Sequence, residues 1–314
     1  MVFEIEESGK NKTPNLFDVR AIQDGTKTQN FLSTWVYKDD DLCFVVDPGP
    51  ASVINSLTQT LNSLGVGELD LNYILLTHIH IDHAGGVGKL LSFFPQAQVI
   101  CHQRGIKHLI NPEKLWEGSI KVLGKVVEMY GKILPVPEDK IQFQESVADG
   151  KIKVIETLGH APHHQSFLFN NYLFAGEAAG VHVKSEDYFH IRPATPPIFN
   201  YDNWISSIRI LLKENLADHK ICYSHFGMRD NADMMIKSAQ EQLSMWVQVI
   251  TELFELRTRD NFNDILFATL EKRDKFLSNF VYIDKSLKKR ERFYAENSIK
   301  GIIGYIQKKK LEME

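Results

Sequence analysis

Thr77-His78-Ile79-His80-Ile81-Asp82-His83-Ala84-Gly85-Gly86 follows directly on an apolar run, Leu71 to Leu76. The run predicts a buried strand, because period-2 side chains with β-branched residues suit a pleated surface. The polar cluster then falls where the strand ends, and Gly85-Gly86 lets the backbone turn sharply into the next helix. Three histidines and an aspartate fall within six positions. These are the residue types that a borderline-soft divalent cation prefers. In an extended segment His78 and His80 point the same way, so both can reach one ion. Asp82 and His83 lie beyond the strand, where the chain can turn them towards a second ion. An ordinary surface loop would need a large hydrogen-bond network to satisfy so many titratable groups, so the cluster reads as metal-binding.

Outward from this stretch, further polar residues stand at the ends of predicted strands, where open sheets place ligands. A strand from Leu42 to Val46 ends on Asp47-Pro48-Gly49. One from Ile152 to Thr157 leads to Leu158-Gly159-His160, and one from Tyr172 to Phe174 to Ala175-Gly176-Glu177. Ile221 to Tyr223 leads to Ser224-His225-Phe226-Gly227. A lone His at a strand end is more often a hydrogen-bonded structural residue; the ordered set is the stronger signal.

The set resembles the metallo-β-lactamase superfamily over about residues 16 to 228: a strand-ending Asp, HxHxDH, a lone His, a bridging carboxylate and a last His. Within it, His78 to Gly86 and Gly159-His160-Ala161-Pro162-His163-His164-Gln165-Ser166 are similar to the branch holding glyoxalase II and the acyl-homoserine lactonases. The resemblance implies an α/β (α+β) fold, an αββα sandwich of two packed sheets with helices outside. It implies two divalent cations. His78, His80 and His160 would bind the first, and Asp82, His83 and His225 the second. Glu177 would bridge them where the family usually has Asp, and Asp47 would orient ligands from behind. Zn fits the His-rich donors, and Fe or Mn is compatible with them. The implied reaction is attack of a metal-bound hydroxide on a small ester, thioester or lactone, with Asp82 and His83 as the catalytic residues at the nucleophile. The rival readings are a di-iron redox protein of the same fold, whose motif carries Glu where His80 stands, and a metal-dependent nuclease.

Around this core, apolar residues from Ser52 to Leu64 recur at helical spacing, and helices are expected over Gly86 to Phe94 and Glu113 to Tyr130. Strands are expected over Leu16 to Ile22 and Phe31 to Tyr37, a hairpin at Asn170-Asn171, a proline-rich loop from Ile191 to Phe199, and a helix capped by Asp202. Leu243, Trp246, Val247, Ile250, Leu253 and Phe254 form one helical stripe. Two parts follow: a metallo-β-lactamase-like domain over 1–230 and a helical C-terminal region over 231–314. The stripe suits packing on the sandwich, a wall of the site, or a homodimer interface. His163, His164, Tyr188, His190 and Arg192 are candidates for the substrate pocket.

Net charge is −4, which argues against a nucleic-acid partner and leaves a small-molecule substrate. Lys288-Lys289-Arg290 and Lys308-Lys309-Lys310 then read as solvated helix faces. Cys43, Cys101 and Cys222 form no CxxC pair, which suits reduced thiols in the cytoplasm. The acidic start lacks a signal-peptide core, and no apolar run approaches membrane-spanning length.

Overall fold

Alternation of side chains across one strand explains the packing around the motif. In a computed structural model describing residues 1–5, 15–20, 32–184, 189–283 and 285–313, Cys43-Phe44-Val45-Val46 is buried throughout. Phe44 meets Phe169 and Phe174 edge-on, with ring centroids 5.2 and 5.9 Å apart. Cys43 and Val45 turn the other way, into a cluster with Ile54, Leu57 and Leu61. A strand covered on both faces reads as a continuous apolar run.

The chain divides into two units, Met1–Glu156 with His163–Gly176, and Thr157–Pro162 with Glu177–Glu314. The first unit holds a seven-stranded sheet of β1 (Val2–Ile5), β2 (Leu16–Val19), β3 (Thr34–Lys38), β4 (Cys43–Val46), β5 (Tyr73–Leu75), β6 (Gln98–Ile100) and β7 (Ile141–Gln142), in that order. β1 to β4 are antiparallel, and β4 to β7 run parallel. Against it lie β8 (Ser146–Val147), β9 (Ile152–Glu156), β10 (Gln165–Phe169) and β11 (Tyr172–Gly176), paired antiparallel. Trp35, Tyr37, Phe44, Phe169 and Phe174 fill the space between the sheets. The outer face of the larger sheet is covered by α1 (Ile54–Ser63), α2 (Ile81–Ala84), α3 (Val87–Leu91) and α4 (Gln103–Ile110). Beyond them come α5 (Glu113–Leu123) and α6 (Val126–Tyr130).

Two expectations change here. The helix expected over Glu113 to Tyr130 is broken at Gly124, whose φ of 60° turns the chain between α5 and α6. The expected strand Leu71 to Leu76 pairs as β5 only over Tyr73–Leu75. Its flanks still bond to neighbours, Asn72 N to Cys43 O and Leu76 N to Ile100 O, both at 2.9 Å. The Asn170-Asn171 hairpin joins β10 to β11, with Asn170 at φ 51°. The readings Leu16 to Ile22 and Phe31 to Tyr37 run partly into residues outside those described, and Tyr188 lies wholly outside them.

The second unit contains the hairpin β12 (Val181–Lys184) with β13 (Phe189–Arg192), then α7 (Tyr201–Leu212), β14 (Lys220–Tyr223), β15 (Met228–Arg229), α8 (Ala232–Glu252), α9 (Phe262–Arg273) and α10 (Lys285–Met313). The expected loop from Ile191 therefore starts two residues later, where Pro193 cannot donate to a ladder. Asn200, not Asp202, caps α7, its side chain accepting from Asn203 N at 2.9 Å. Asp202 instead takes the Tyr305 hydroxyl at 2.9 Å and the Lys309 ammonium at 2.7 Å. Leu243, Trp246 and Ile250 are buried on α8 as the stripe predicts, while Val247 is half-buried.

His190 and Arg192 are tied into this helical part. His190 Nδ1 donates to Phe276 O at 3.1 Å. Arg192 Nε donates to Glu291 at 2.8 Å, and its guanidinium lies 5.0 Å from the Tyr294 ring centre. Glu291 is fully buried and also receives Arg290 Nε at 3.3 Å. Burial pushes the Glu291 carboxyl up, but the Arg192 guanidinium, with Arg290, holds it below the usual carboxylate range.

Phe44→Ala should lower the unfolding free energy by about 3–5 kcal/mol, read by urea denaturation, because neighbouring rings cannot collapse into the space. Glu291→Gln should cost about 3–5 kcal/mol at pH 7 by leaving Arg192 buried without its counter-charge. Since the folded-state pKa of Glu291 is depressed, its contribution is present above the unfolded pKa of about 4.3 and is lost as pH falls through the lower folded value. The acid limb of the stability–pH curve should accordingly flatten in the Gln variant.

Candidate metal centre

The first half of the donor set hangs from Asp47. This residue leaves β4 in the left-handed region, at φ 49°, which Asp tolerates better than most residues. Asp47 Oδ1 accepts from Thr77 N at 2.8 Å, and Oδ2 accepts from Thr77 Oγ1 at 2.7 Å. Asp47 Oδ2 also lies 3.3 Å from His83 Nδ1. Thr34 Oγ1 donates to Asp47 O at 2.9 Å. The carboxylate thus ties together the ends of β4 and β5 and the start of α2.

These bonds set the imidazole tautomers. Thr77 gives its hydroxyl proton to Asp47, so its oxygen accepts from His78 Nδ1 at 3.0 Å. His83 Nδ1 in turn faces Asp47. Both rings then keep Nε2 as the lone-pair atom, the arrangement a metal-binding histidine needs. His80 stands in extended conformation at the N-terminal end of α2, and its carbonyl accepts from His83 N at 3.0 Å and Ala84 N at 2.9 Å. That turn swings Asp82 and His83 away from the strand direction. The turn is closed by Gly86 N donating to Gly49 O at 2.8 Å. A Cβ on Gly86 would come within 2.8 Å of that same carbonyl oxygen, so only glycine fits.

Five imidazoles gather here. His78 lies 4.6 Å from His80, 4.1 Å from His83, 5.2 Å from His164 and 6.5 Å from His163, centre to centre. His163 Nδ1 accepts from Ile79 N at 3.4 Å, so both candidate pocket histidines of this segment stand beside the motif. Asp47, His78 and His83 each offer a ligand atom, all within 4.8 Å of one another. Protonating several such buried rings would set like charges against each other. Neutral rings with converging lone pairs suit a dication. Asp82 Oδ2 approaches His83 Nε2 to 3.5 Å and keeps some exposure.

The second unit carries three further donor candidates, His160, Glu177 and His225. Gly159, at φ 134°, runs so close to Trp204 that a Cβ would meet its backbone nitrogen at 2.8 Å. His160 follows and donates from Nδ1 to Ala194 O at 2.8 Å. Its Nε2 lies 3.0 Å from Glu177 Oε2, and His225 Nε2 lies 3.5 Å from Glu177 Oε1. With its Nδ1 committed to Ala194 O, His160 turns Nε2 towards the carboxylate, and a cation held there would satisfy both groups. Burial pushes the Glu177 carboxyl up, and the His160 and then the His225 imidazole more than offset this, holding it well below the usual range. The donor chemistry of both halves therefore fits divalent metal.

Sequence reasoning missed Thr77 and the Ala194 carbonyl. Thr77 had a readable signal, a hydroxyl beside His78 at a strand end. A backbone carbonyl has none in the residue type.

The sequence profile of the metallo-beta-lactamase superfamily matches residues 28–225, and the chain belongs to that superfamily. A metallo-beta-lactamase fold-containing protein from Sulfurisphaera tokodaii is 29% identical over 190 residues, 56% of this chain and 70% of that protein. A hydroxyacylglutathione hydrolase from Actinobacillus pleuropneumoniae is 31% identical over 165 residues, 52% of this chain and 54% of the hydrolase. The chain thus spans about half the length of that relative. The crystal structure of an archaeal superfamily protein from Sulfolobus tokodaii matches with a TM-score of 0.60 at 26% identity, over 73% of this chain and 86% of that one. The α/β sandwich is the fold of this family, and in this chain helices α8, α9 and α10 follow the matched residues. Among the described residues, no helix is long and apolar enough to cross a membrane.

Asp47→Ala should leave the sandwich folded and weaken divalent-metal affinity by about 10–100-fold, the cost of freeing His78 and His83 from their orienting partners. Competition with a chromophoric chelator measures this.

Proposed function

We propose that the chain is a metal-dependent hydrolase that cleaves a small ester, thioester or lactone. The observation that carries the reading is the Asp47–Thr77 brace, which orients His78 and His83 with Nε2 outward. Membership of the superfamily and likeness to a hydroxyacylglutathione hydrolase support it. In this reading His78, His80 and His160 hold one cation, Asp82, His83 and His225 hold a second, and Glu177 is shared. Zn is the metal that the donors suit best.

Bound cations there supply an activated water at neutral pH and polarise the substrate carbonyl. The protein's own groups do the rest. Asp47 keeps the two imidazoles in the ligating tautomer. Asp82, partly exposed beside His83, accepts a proton and returns it to the leaving group. His163 and His164 flank the motif and line the substrate's approach. Glu177, one methylene longer than the usual Asp, keeps the negative charge that offsets two dications.

Elemental analysis of protein purified without chelator should find about two divalent ions per chain. A panel of an aryl ester, an acyl-glutathione thioester and an acyl lactone should show metal-dependent turnover. His80→Ala should reduce it by about 100-fold or more with the circular dichroism spectrum unchanged. Glu177→Asp should keep much of both metal and rate, whereas Glu177→Ala should lose most of each. Full turnover by metal-free protein, or by His80→Ala, would exclude this reading.

A further inference from the structure

A cavity of about 350 Å³ opens in the second unit between the His160 segment, the start of α7 and the last turns of α10. That size suits a small ligand. Pro162, Ile198 and Phe199 give it apolar walls, and Asn203 and Lys308 give it a polar end. The His160 ring is turned away, towards Ala194 O and Glu177.

Two features shape this space. Gly304 sits inside the 29-residue helix α10 and lines the cavity. A glycine there weakens a helix relative to alanine. One turn earlier, Gly301 has a packing reason, because a Cβ would strike the Thr195 and Pro196 carbonyls. Gly304 has none: a Cβ there meets nothing within 4 Å. The second feature is Ile198, a β-branched residue at φ 81° with 86% of its surface exposed. Such a conformation is strained for this side chain, and strain of this kind gathers at ligand clamps. It holds an apolar group out at the mouth of the cavity.

The polar end is basic and loosely engaged. Lys308 Nζ lies 3.8 Å from Glu312, an exposed pair of little worth. Lys309, by contrast, is held by Asp202 at 2.7 Å. A ligand carboxylate could take Glu312's place on Lys308 while its chain covers Ile198 and Phe199 over the open floor at Gly304.

We propose that this cavity binds a short-chain acyl carboxylate, with the chain along Ile198, Phe199 and Gly304 and the carboxylate at Lys308. The site does not depend on the metal ligands' side chains. Its occupant rests against Gly159, Ala161 and Pro162, the backbone on either side of His160.

Isothermal titration of the full chain with octanoate tests this, in metal-loaded and chelator-treated protein. Binding with a Kd on the order of 1 mM or tighter is expected in both forms. Gly304→Leu should abolish it, while the thermal midpoint stays at or above that of the wild type, since leucine is the better helix former. Gly304→Ala, a smaller filling of the same space, should weaken it only partly. Lys308→Met should weaken octanoate about tenfold without changing octanol, and Glu312→Gln should tighten octanoate by removing its competitor. Absence of binding, binding that requires metal, or binding unaffected by Gly304→Leu would each overturn the assignment.

Discussion

The Asp47 carboxylate is the constraint on which the first half of the donor set depends. One oxygen receives the Thr77 amide and the other its hydroxyl, so the ends of two neighbouring parallel strands are fixed in register. The same oxygen faces His83, on the far side of the turn that follows β5. Buried, charge-assisted bonds of this type are strong and directional. Without them the turn would still exist, because Gly86 and Gly49 close it through the backbone. The imidazole rings, however, would lose the partners that choose their tautomers.

The second unit solves the same problem with different parts. His160 is oriented by a backbone carbonyl, Ala194 O, rather than by a carboxylate. In both units the nitrogen facing the protein is committed and the other is presented. Glu177 then lies against His160 Nε2 and His225 Nε2, which hold its carboxyl well below the usual range despite its burial. A carboxylate beside two imidazoles is a donor set that suits a divalent cation.

The helical part of the second unit has its own polar logic. Glu291 is buried with Arg192 and Arg290, and Asp274 accepts from Gln242, Trp246 and two backbone amides. His190 and Arg192, pocket candidates by their place after Glu177, take part in these networks through Phe276 O and Glu291. α10 differs along its length. Gly301 is crowded against the segment after β13, and Gly304 borders open space. The same residue type thus serves close packing at one turn and a cavity at the next.

Residue type and spacing determined the strand before the motif and the turn after it, and marked His78, His80, Asp82 and His83 as metal-binding candidates. A buried parallel strand must be continuously apolar, and a cluster of His and Asp at its end has few other uses. Composition likewise exposed the Asn170-Asn171 hairpin and the α8 stripe, because turn chemistry and helical period are local. What the sequence left open were the long-range choices. Only the tertiary structure showed that Thr77 relays His78 to Asp47, since that chain of bonds spans thirty residues. It alone broke the helix at Gly124, gave the α7 cap to Asn200, and drew Asp202 to Tyr305 and Lys309 more than a hundred residues on. Local propensity cannot decide such matters, because a polar side chain takes whichever partner the packed fold brings within reach.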